Sequence, residues 1–418
     1  MKIGILTIGN ELTSGKIQDT NTSFIARNLY PLGWQIVAML SLGDDDQAIK
    51  DGLDFLLARA DGVIVTGGLG PTVDDMTAAA IAKAFDLRLT TDEVVLRHIK
   101  ERMAGHNFPW TENNAKQALF PEGAERIANR VGVAWGFSLK INGKIIAVMP
   151  GVPKEAEDML VEGVLPLFRR EFSDPDQVAT RIIKLAGASE SAVDHSLRDV
   201  PFGDLGVTVG SYPRFPELQI VLTARDAQRE KALAKVARAE GEVVKRLSPY
   251  IFAYDEDTLE GVVAALLLGR NLTLALAESC TGGLIAHRLT DVAGSSAFFE
   301  RGLITYSNAS KEELLLIPPE IIKKHGAVSK ETAVLMAEGV RKTARTSLGL
   351  SVTGIAGPSG GTAEKPVGTV FIALADGART VCRHFSFNWN RQRNKVISSQ
   401  WALVLLKNYL TDGWDHEQ

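Results

Sequence analysis

The run Glu278-Ser279-Cys280-Thr281-Gly282-Gly283 follows an apolar, β-type stretch, Thr273–Ala277, and precedes a segment in which Leu284, Ile285, Leu289 and Val292 mark one face of a helix. A strand-turn-helix edge of this kind presents a side-chain hydroxyl beside backbone N–H groups, where the positive end of a helix dipole supports an oxyanion or a phosphate. Ser279 is therefore a candidate nucleophile. Two more polar segments end strand-like runs: Tyr306-Ser307-Asn308 with Lys311, and the glycine-rich stretch Ser351–Gly361, which holds Thr353, Gly354 and Gly357. Loops that follow three strands of one sheet converge on one crevice. Cys280 offers a rival thiolate nucleophile, although neighbouring residues in a turn usually point apart and a lone cysteine is more often a small buried hydrophobe. His287 and His325 would suit a serine-histidine scheme, but His287 falls within the amphipathic helix.

A second set lies near the N-terminus. Val63–Thr66 leads into Gly67-Gly68-Leu69-Gly70-Pro71-Thr72, and then Asp74-Asp75 and a helical stretch with Met76, Ala79, Ala80 and Ala84. Successive glycines after a strand let the backbone approach a phosphate closely. One of Asp74 and Asp75 is expected to cap the helix, and the other to be free for metal contact. Asp19, Asp44 and Asp75 are candidate ligands. With no His or Cys beside them and no EF-hand spacing, they suit Mg²⁺ or a loosely held transition metal better than zinc.

These residues need elements to position them. From residue 1 to about 170, strands are expected at Lys2–Ile8, Gln35–Leu40, Gly62–Thr66 and Lys144–Val148, with helices at Asn21–Tyr30, Asp46–Arg59 and Asp75–Phe85. Such alternation predicts a parallel sheet covered on both faces. Linker composition at Glu171–Gln177 opens a small α+β unit over 173–250, with strands Arg181–Leu185, Gly206–Ser211 and Glu217–Thr223 and helices Glu190–Leu197 and Gln228–Leu247. It carries no catalytic constellation, which suits a spacer or an interface. A third unit, 255–412, predicts helices at Asp257–Leu268, Gly282–Val292, Lys330–Arg345 and Arg393–Tyr409. Its strands are expected at Thr273–Ala277, Gly302–Tyr306, Leu348–Val352 and Gly368–Leu374, and residues 413–418 as a frayed tail.

The 418 residues exceed the size at which one hydrophobic core keeps growing, so several domains are expected. A net charge of −4 and a pI near 6.0 leave no electrostatic footprint for nucleic acid or an anionic membrane. The two cysteines, Cys280 and Cys382, are too few for a disulfide framework. The N-terminal apolar run is broken by Gly4 and Gly9 and reads as a buried strand rather than a signal peptide. The runs near Gly261–Leu268 and Leu272–Ala277 are too short to span a bilayer. The cytoplasm is the expected compartment.

Six segments in order, Ala277–Gly283, Gly294–Gly302, Thr305–Asn308 with Lys311, His325–Ser329, Thr353–Pro358 and Lys365–Val370, closely resemble the C-terminal domain of the CinA family. Gly9-Asn10-Glu11, Gly15 through Asn21, Gly43-Asp44-Asp45, Thr66–Asp75, Asn113–Ala118 and Pro150–Pro153 with Glu155 resemble that family's molybdopterin-binding-like N-terminal domain. The resemblance implies a mixed α/β protein: a three-layer molybdopterin-binding-like domain over 1–170, the small α+β middle domain, and a C-terminal α/β deamidase domain. For the C-terminal domain it implies deamidation of nicotinamide mononucleotide to nicotinate mononucleotide and ammonia, without a cofactor. Ser279 would be the nucleophile, with Tyr306, Lys311, Thr353 and Arg391 in the site and Gly282, Gly283, Gly354 and Gly357 in its loops. Lys311 could take the serine proton only with its pKa lowered by desolvation or a neighbouring cation.

Arg391 suits a phosphate because a guanidinium matches it bidentately. The family usually has Gly-Asp before this arginine, whereas this chain has Trp389-Asn390, and Arg393 is an alternative. For the N-terminal domain the resemblance implies divalent-metal-dependent hydrolysis of ADP-ribose to AMP and ribose 5-phosphate, with Gly67, Gly68, Gly70 and Asp74 at the substrate. Other readings are a non-catalytic pterin or nucleotide binder, and a competence or recombination partner. A homodimer without direct nucleic-acid or membrane contact is the expected assembly.

Overall fold

The computed structural model describes residues 1–105, 109–172 and 177–414. The expected linker and tail fall largely outside them. Two compact units result, Met1–Thr180 with Ala224–Lys235, and Arg181–Thr223 with Val236–Gln418.

In the first unit the main strands are β1 (Lys2–Ile8), β2 (Gln35–Leu42) and β3 (Gly62–Thr66). A small ribbon, β4 (Leu89–Thr91) with β5 (Leu119–Pro121), stands apart from β6 (Glu125–Ile127), β7 (Gly136–Ile141) and β8 (Lys144–Met149). The six-stranded sheet has the order β2-β1-β3-β8-β7-β6. The four expected strands, β2, β1, β3 and β8, run parallel as expected, and two strands that the sequence did not disclose, β7 and β6, add on antiparallel. The two-residue turn Asn142-Gly143, both at positive φ, joins β7 to β8 as a tight hairpin, which only antiparallel strands allow.

Every residue of β3 is buried. Val63 and Val65 face a core with Leu53 and Phe137, whereas Ile64 faces another with Ile25 and Phe168, so both faces of the sheet are covered. The C-terminal ends of β1 and β3 are thereby held at one rim, where β3 feeds into Gly67.

The second unit carries β10 (Val207–Arg214), β12 (Ile251–Tyr254) and most of β9 (Gln177–Leu185) and β11 (Glu217–Asp226), in the order β10-β11-β9-β12. A second sheet combines β13 (Leu274–Glu278), β14 (Phe299–Ile304), β15 (Leu348–Gly354), β16 (Thr369–Ala375) and β17 (Thr380–Ser386). Its order is β14-β13-β15-β16-β17. The first three strands are parallel and the last two antiparallel. The helix Lys330–Ala344 covers one face through Met336 and Val340, and the helices Leu259–Gly269 and Arg391–Asp412 cover the other through Val263, Leu267, Leu403 and Leu406. The parallel trio fixes the site, because β14, β13 and β15 all end on one edge.

Gly67 has φ 113°, and a Cβ there would run into the carbonyl oxygen of Ile8, whereas Gly15, at φ 70°, faces open space. Both substitutions to Ala incur the left-handed backbone cost, about 1 kcal/mol, but only Gly67→Ala must also push β1 away from β3. Thermal unfolding should show a clearly larger loss of Tm for Gly67→Ala than for Gly15→Ala. Equal losses would contradict the close packing of this turn on β1.

Candidate active sites

Glu278, the last residue of β13, explains the turn that follows. Its buried carboxylate accepts hydrogen bonds from the N–H groups of Gly283 (3.0 Å), Ile285 (3.1 Å) and Ala286 (2.8 Å). The positive φ angles of Gly282 and Gly283 turn the chain back over this carboxylate and into the helix Leu284–Thr290. Charge-assisted bonds of this kind contribute about 1.5–3 kcal/mol each. The expectation that this helix terminus would hold an oxyanion or a phosphate is thereby corrected: its N–H groups are already occupied by Glu278.

Ser279 is fixed in the turn by its own N–H, which donates to Val352 O at 2.9 Å on β15. On the neighbouring strand end, Ser307 caps the helix Asn308–Leu315 in a reciprocal box with Ser310. One turn in, Lys311 points inward, 1% exposed. Its Nζ lies 3.2 Å from Ser279 Oγ, 2.6 Å from Thr305 O and 3.5 Å from Tyr306 O. Burial lowers its pKa to about 8. A neutral amine has two N–H donors and one lone pair, so the two carbonyls can take the hydrogens while the lone pair meets the Ser279 hydroxyl.

Cys280 turns the other way, into the core with Ile285, Leu289 and Val352, and burial pushes its thiol up to about 12. It is therefore neither exposed nor ionised as a nucleophile requires. His287 stays on the outer face of its helix near Asp291. His325 has its ring near Glu331, and its carbonyl accepts from Lys365 Nζ at 2.7 Å. Neither histidine has a hydrogen bond to Ser279 among the described residues.

Thr353 is fully buried and donates to Ala327 O at 2.8 Å, so its hydroxyl ties the His325–Ser329 segment to β15. Gly354 lies against the backbone of Thr369 and Val370, leaving no room for a side chain. Gly357 supplies a carbonyl that accepts from Arg391 Nη1 at 2.8 Å, and Arg391 Nη2 donates to the exposed Tyr306 hydroxyl at 3.0 Å. Tyr306 thus reaches the Ser279–Lys311 pair by its backbone and Arg391 by its ring.

Arg393 is placed differently. Its guanidinium sits 5.1 Å from the ring centres of both Phe215 and Trp389. Asn394 was missed by sequence reasoning. Buried at the start of the last helix, its amide donates to Ala356 O (3.1 Å) and Trp389 O (2.8 Å), docking that helix on the glycine-rich loop. An amide at a helix start reads as ordinary polarity until its partners are known.

In the first unit a cavity of about 820 Å³ is lined by Gly67, Gly68, Gly70, Asp19, Asp44, Asp74 and Asp75, together with Glu11, Asn21 and Glu155. Thr77 Oγ1 donates to Gly67 O at 2.9 Å and holds the glycine turn. The expected aspartate cap is corrected: the helix starts at Thr77, Met76 is its N-cap, and no side chain caps it. Asp74 and Asp75 instead accept from Thr72, the latter from both its N–H (2.8 Å) and its hydroxyl (2.6 Å). Asn21 was also missed as a site residue. Its Nδ2 bridges Thr66 Oγ1 (3.1 Å) and Gly151 O (2.8 Å), while its Oδ1 is buried without a hydrogen-bond partner among the described residues.

Asp19 accepts from Thr22 N–H at 2.9 Å and Asp44 from Asn10 N–H at 2.9 Å, and the three expected ligands Asp19, Asp44 and Asp75 do not form one ligand set among the described residues. Among the described residues, no group of three or more His, Cys, Asp or Glu could hold a metal ion. The field is nonetheless anionic. Burial raises the Asp44 pKa, the Asn10 N–H opposes this, and the charges of Asp74, Glu11 and Asp75 raise it further. Such a site fits a hydrated hard cation that takes one or two carboxylates and completes its shell with phosphate oxygens and water. It does not fit a closed protein cage.

Among the described residues no helix is long and apolar enough to cross a membrane. Residues 4–170 match the probable molybdopterin binding domain, 180–253 the damage-inducible protein CinA KH domain, and 256–410 the CinA C-terminal domain. A CinA-like protein of Syntrophus aciditrophicus (strain SB) is 58% identical over 415 residues, 99% of each chain. A CinA-like protein of Geobacter sp. (strain M21) is 45% identical over 98% of each. The solved competence/damage inducible protein CihA from Agrobacterium tumefaciens is 38% identical, with 35% of this chain and 93% of that one covered and a TM-score of 0.35. Matched along its full length by such relatives, and carrying all three of these domains in order, the chain belongs to the CinA family.

Proposed function

We propose that the C-terminal domain is an amidohydrolase that converts nicotinamide mononucleotide to nicotinate mononucleotide and ammonia. The observation that carries this reading is the buried Lys311 amine, 3.2 Å from Ser279 Oγ and with its pKa lowered to about 8. Lys311 takes the proton as Ser279 Oγ attacks the carboxamide carbon. Backbone N–H groups of the glycine-rich loops would meet the developing oxyanion. Collapse of the tetrahedral intermediate breaks the C–N bond, the Lys311 proton leaves with ammonia, and water then hydrolyses the acyl ester to the carboxylate. Arg391 faces the phosphate at the other end of the substrate.

The N-terminal domain is proposed to hydrolyse ADP-ribose to AMP and ribose 5-phosphate. This reading is supported by the large cavity, which brings the glycine turn and the carboxylates to one wall. Asp44 and Asp75 are the residues that would hold a divalent cation, which when bound neutralises diphosphate charge and activates water. The Asn21 amide oxygen is positioned to accept a hydrogen bond from a ligand, and Glu155, raised by burial, adds a carboxyl at the rim. A pterin binder without turnover is the competing reading, separated by metal-dependent release of AMP.

The two reactions should part under chelation. Incubated separately with the two substrates, the protein should lose ADP-ribose cleavage in EDTA and keep nicotinamide mononucleotide deamidation. Parallel loss of both would refute the division of labour.

Ser279→Ala should lower deamidation more than about a thousandfold, whereas Cys280→Ala should keep most of it. The wild-type kcat/KM should rise with pH, about tenfold per unit below 8 and levelling above it, because only neutral Lys311 accepts a proton. A profile flat from pH 6 to 9, or an inactive Cys280→Ala beside an active Ser279→Ala, would require another base or nucleophile.

A further inference from the structure

We infer that Phe215, between strands β10 and β11 of the middle domain, is a positioning residue for the Ser279 site: it clamps the segment Trp389–Arg393 that opens the last helix and carries Arg391. The inference rests on the deamidase reading for its kinetic readout, but the clamp itself is read from packing. Phe215 and Pro216 are the two residues that connect β10 to β11. The Phe215 ring, 38% exposed, lies 5.6 Å from the Trp389 ring with the planes at 63°, an edge-to-face contact. The Arg393 guanidinium completes a triangle, 5.1 Å from each ring centre.

Each member of this triangle needs the others. A cation in the first turn of a helix opposes the positive end of the helix dipole, and the first turn of Arg391–Asp412 holds no acidic residue to offset it. Two aromatic rings do so instead, because their negative faces attract the guanidinium. Trp389 is 48% exposed in the connection before the helix, and Phe215 covers one side of its ring.

The clamp has leverage on the site because its two anchored residues flank Arg391 in the chain. Trp389 donates its N–H to Asn394 Oδ1 (3.3 Å) and accepts from Asn394 Nδ2 at its carbonyl (2.8 Å), and the same amide donates to Ala356 O (3.1 Å). The Arg393 N–H donates to Oδ1 of the N-cap, Asn390, at 3.0 Å. Arg391, between them, spans Gly357 O and Tyr306 Oη. A shift of Trp389 or Arg393 therefore reaches Arg391 and the glycine-rich loop. The Ser279–Lys311 pair, fixed by β15 and by the cap of the helix Asn308–Leu315, is left in place. The middle domain, expected to be a spacer or an interface, thereby takes a part in the deamidase site.

The test compares the full-length wild type with Phe215→Ala, Phe215→Tyr, which restores the ring, and Phe215→Leu, which keeps apolar bulk without a π face. Hydrogen exchange of the amides in Asn388–Asn394, followed without substrate, should quicken roughly three- to thirtyfold in Phe215→Ala and return to the wild-type rate in Phe215→Tyr. The kcat/KM for nicotinamide mononucleotide should fall by a similar factor, chiefly through KM, with the pH dependence of the reaction and ADP-ribose cleavage unchanged. Phe215→Leu should resemble Phe215→Ala. Adding Arg393→Met to Phe215→Ala should cost little more than Phe215→Ala alone, since the two act as one unit. Exchange indifferent to Phe215→Ala, or quickened exchange with unchanged kinetic constants, would overturn the inference. A wild type that shows the exchange differences but no deamidation would uphold the clamp and remove the deamidase reading.

Discussion

An ammonium group taken out of water loses much of its preference for the charged state, and Lys311 is held in that condition by backbone geometry rather than by a carboxylate. The capping box of Ser307 and Ser310 sets the direction of the helix, the helix places Lys311 one turn in, and the strand end at Thr305 closes over the amine with its carbonyl. No carboxylate pairs with Lys311 among the described residues, so nothing restores its pKa to the ordinary range. A salt bridge at this point would have produced a permanently charged, structural lysine. The parallel order of β14, β13 and β15 makes the arrangement possible, because it delivers Lys311, Ser279 and the glycine-rich loop to the same edge.

The acidic groups around the two sites are used differently. Glu278 faces inward and is consumed by the helix that follows the Ser279 turn. The N-terminal cavity keeps its carboxylates at the wall, close enough for Asp74, Glu11 and Asp75 to raise Asp44. An overall charge of −4 conceals this contrast, since it averages over both.

Much of the fold was legible because hydrophobic runs and turn residues set strand ends: Lys2–Ile8, Gly62–Thr66 and the helix Glu190–Leu197 match their expected limits. Less regular segments were not. β17 alternates burial too weakly along Thr380–Ser386 to read as a strand, and β14 ends at Ile304, so Tyr306 begins a loop instead of closing a strand. Ser279, Lys311 and Arg391 could be named from their motifs. The part played by Glu278 could not, because a carboxylate beside a serine reads as chemistry until its three backbone donors are seen. Asp74 and Asp75 looked like a cap or ligands, yet both close a loop on Thr72, a choice set by turn geometry that residue type does not disclose.

The central claim is that desolvation alone makes Lys311 a base for Ser279, and it is met most directly by titrating Lys311 itself. With ¹⁵N-labelled lysine, the Nζ resonance, assigned by its loss in Lys311→Met, can be followed from pH 6 to 11 in the absence of substrate. The account predicts a midpoint near 8 that survives in Ser279→Ala. A midpoint near the ordinary 10.5 would show a charged, structural lysine and contradict the account.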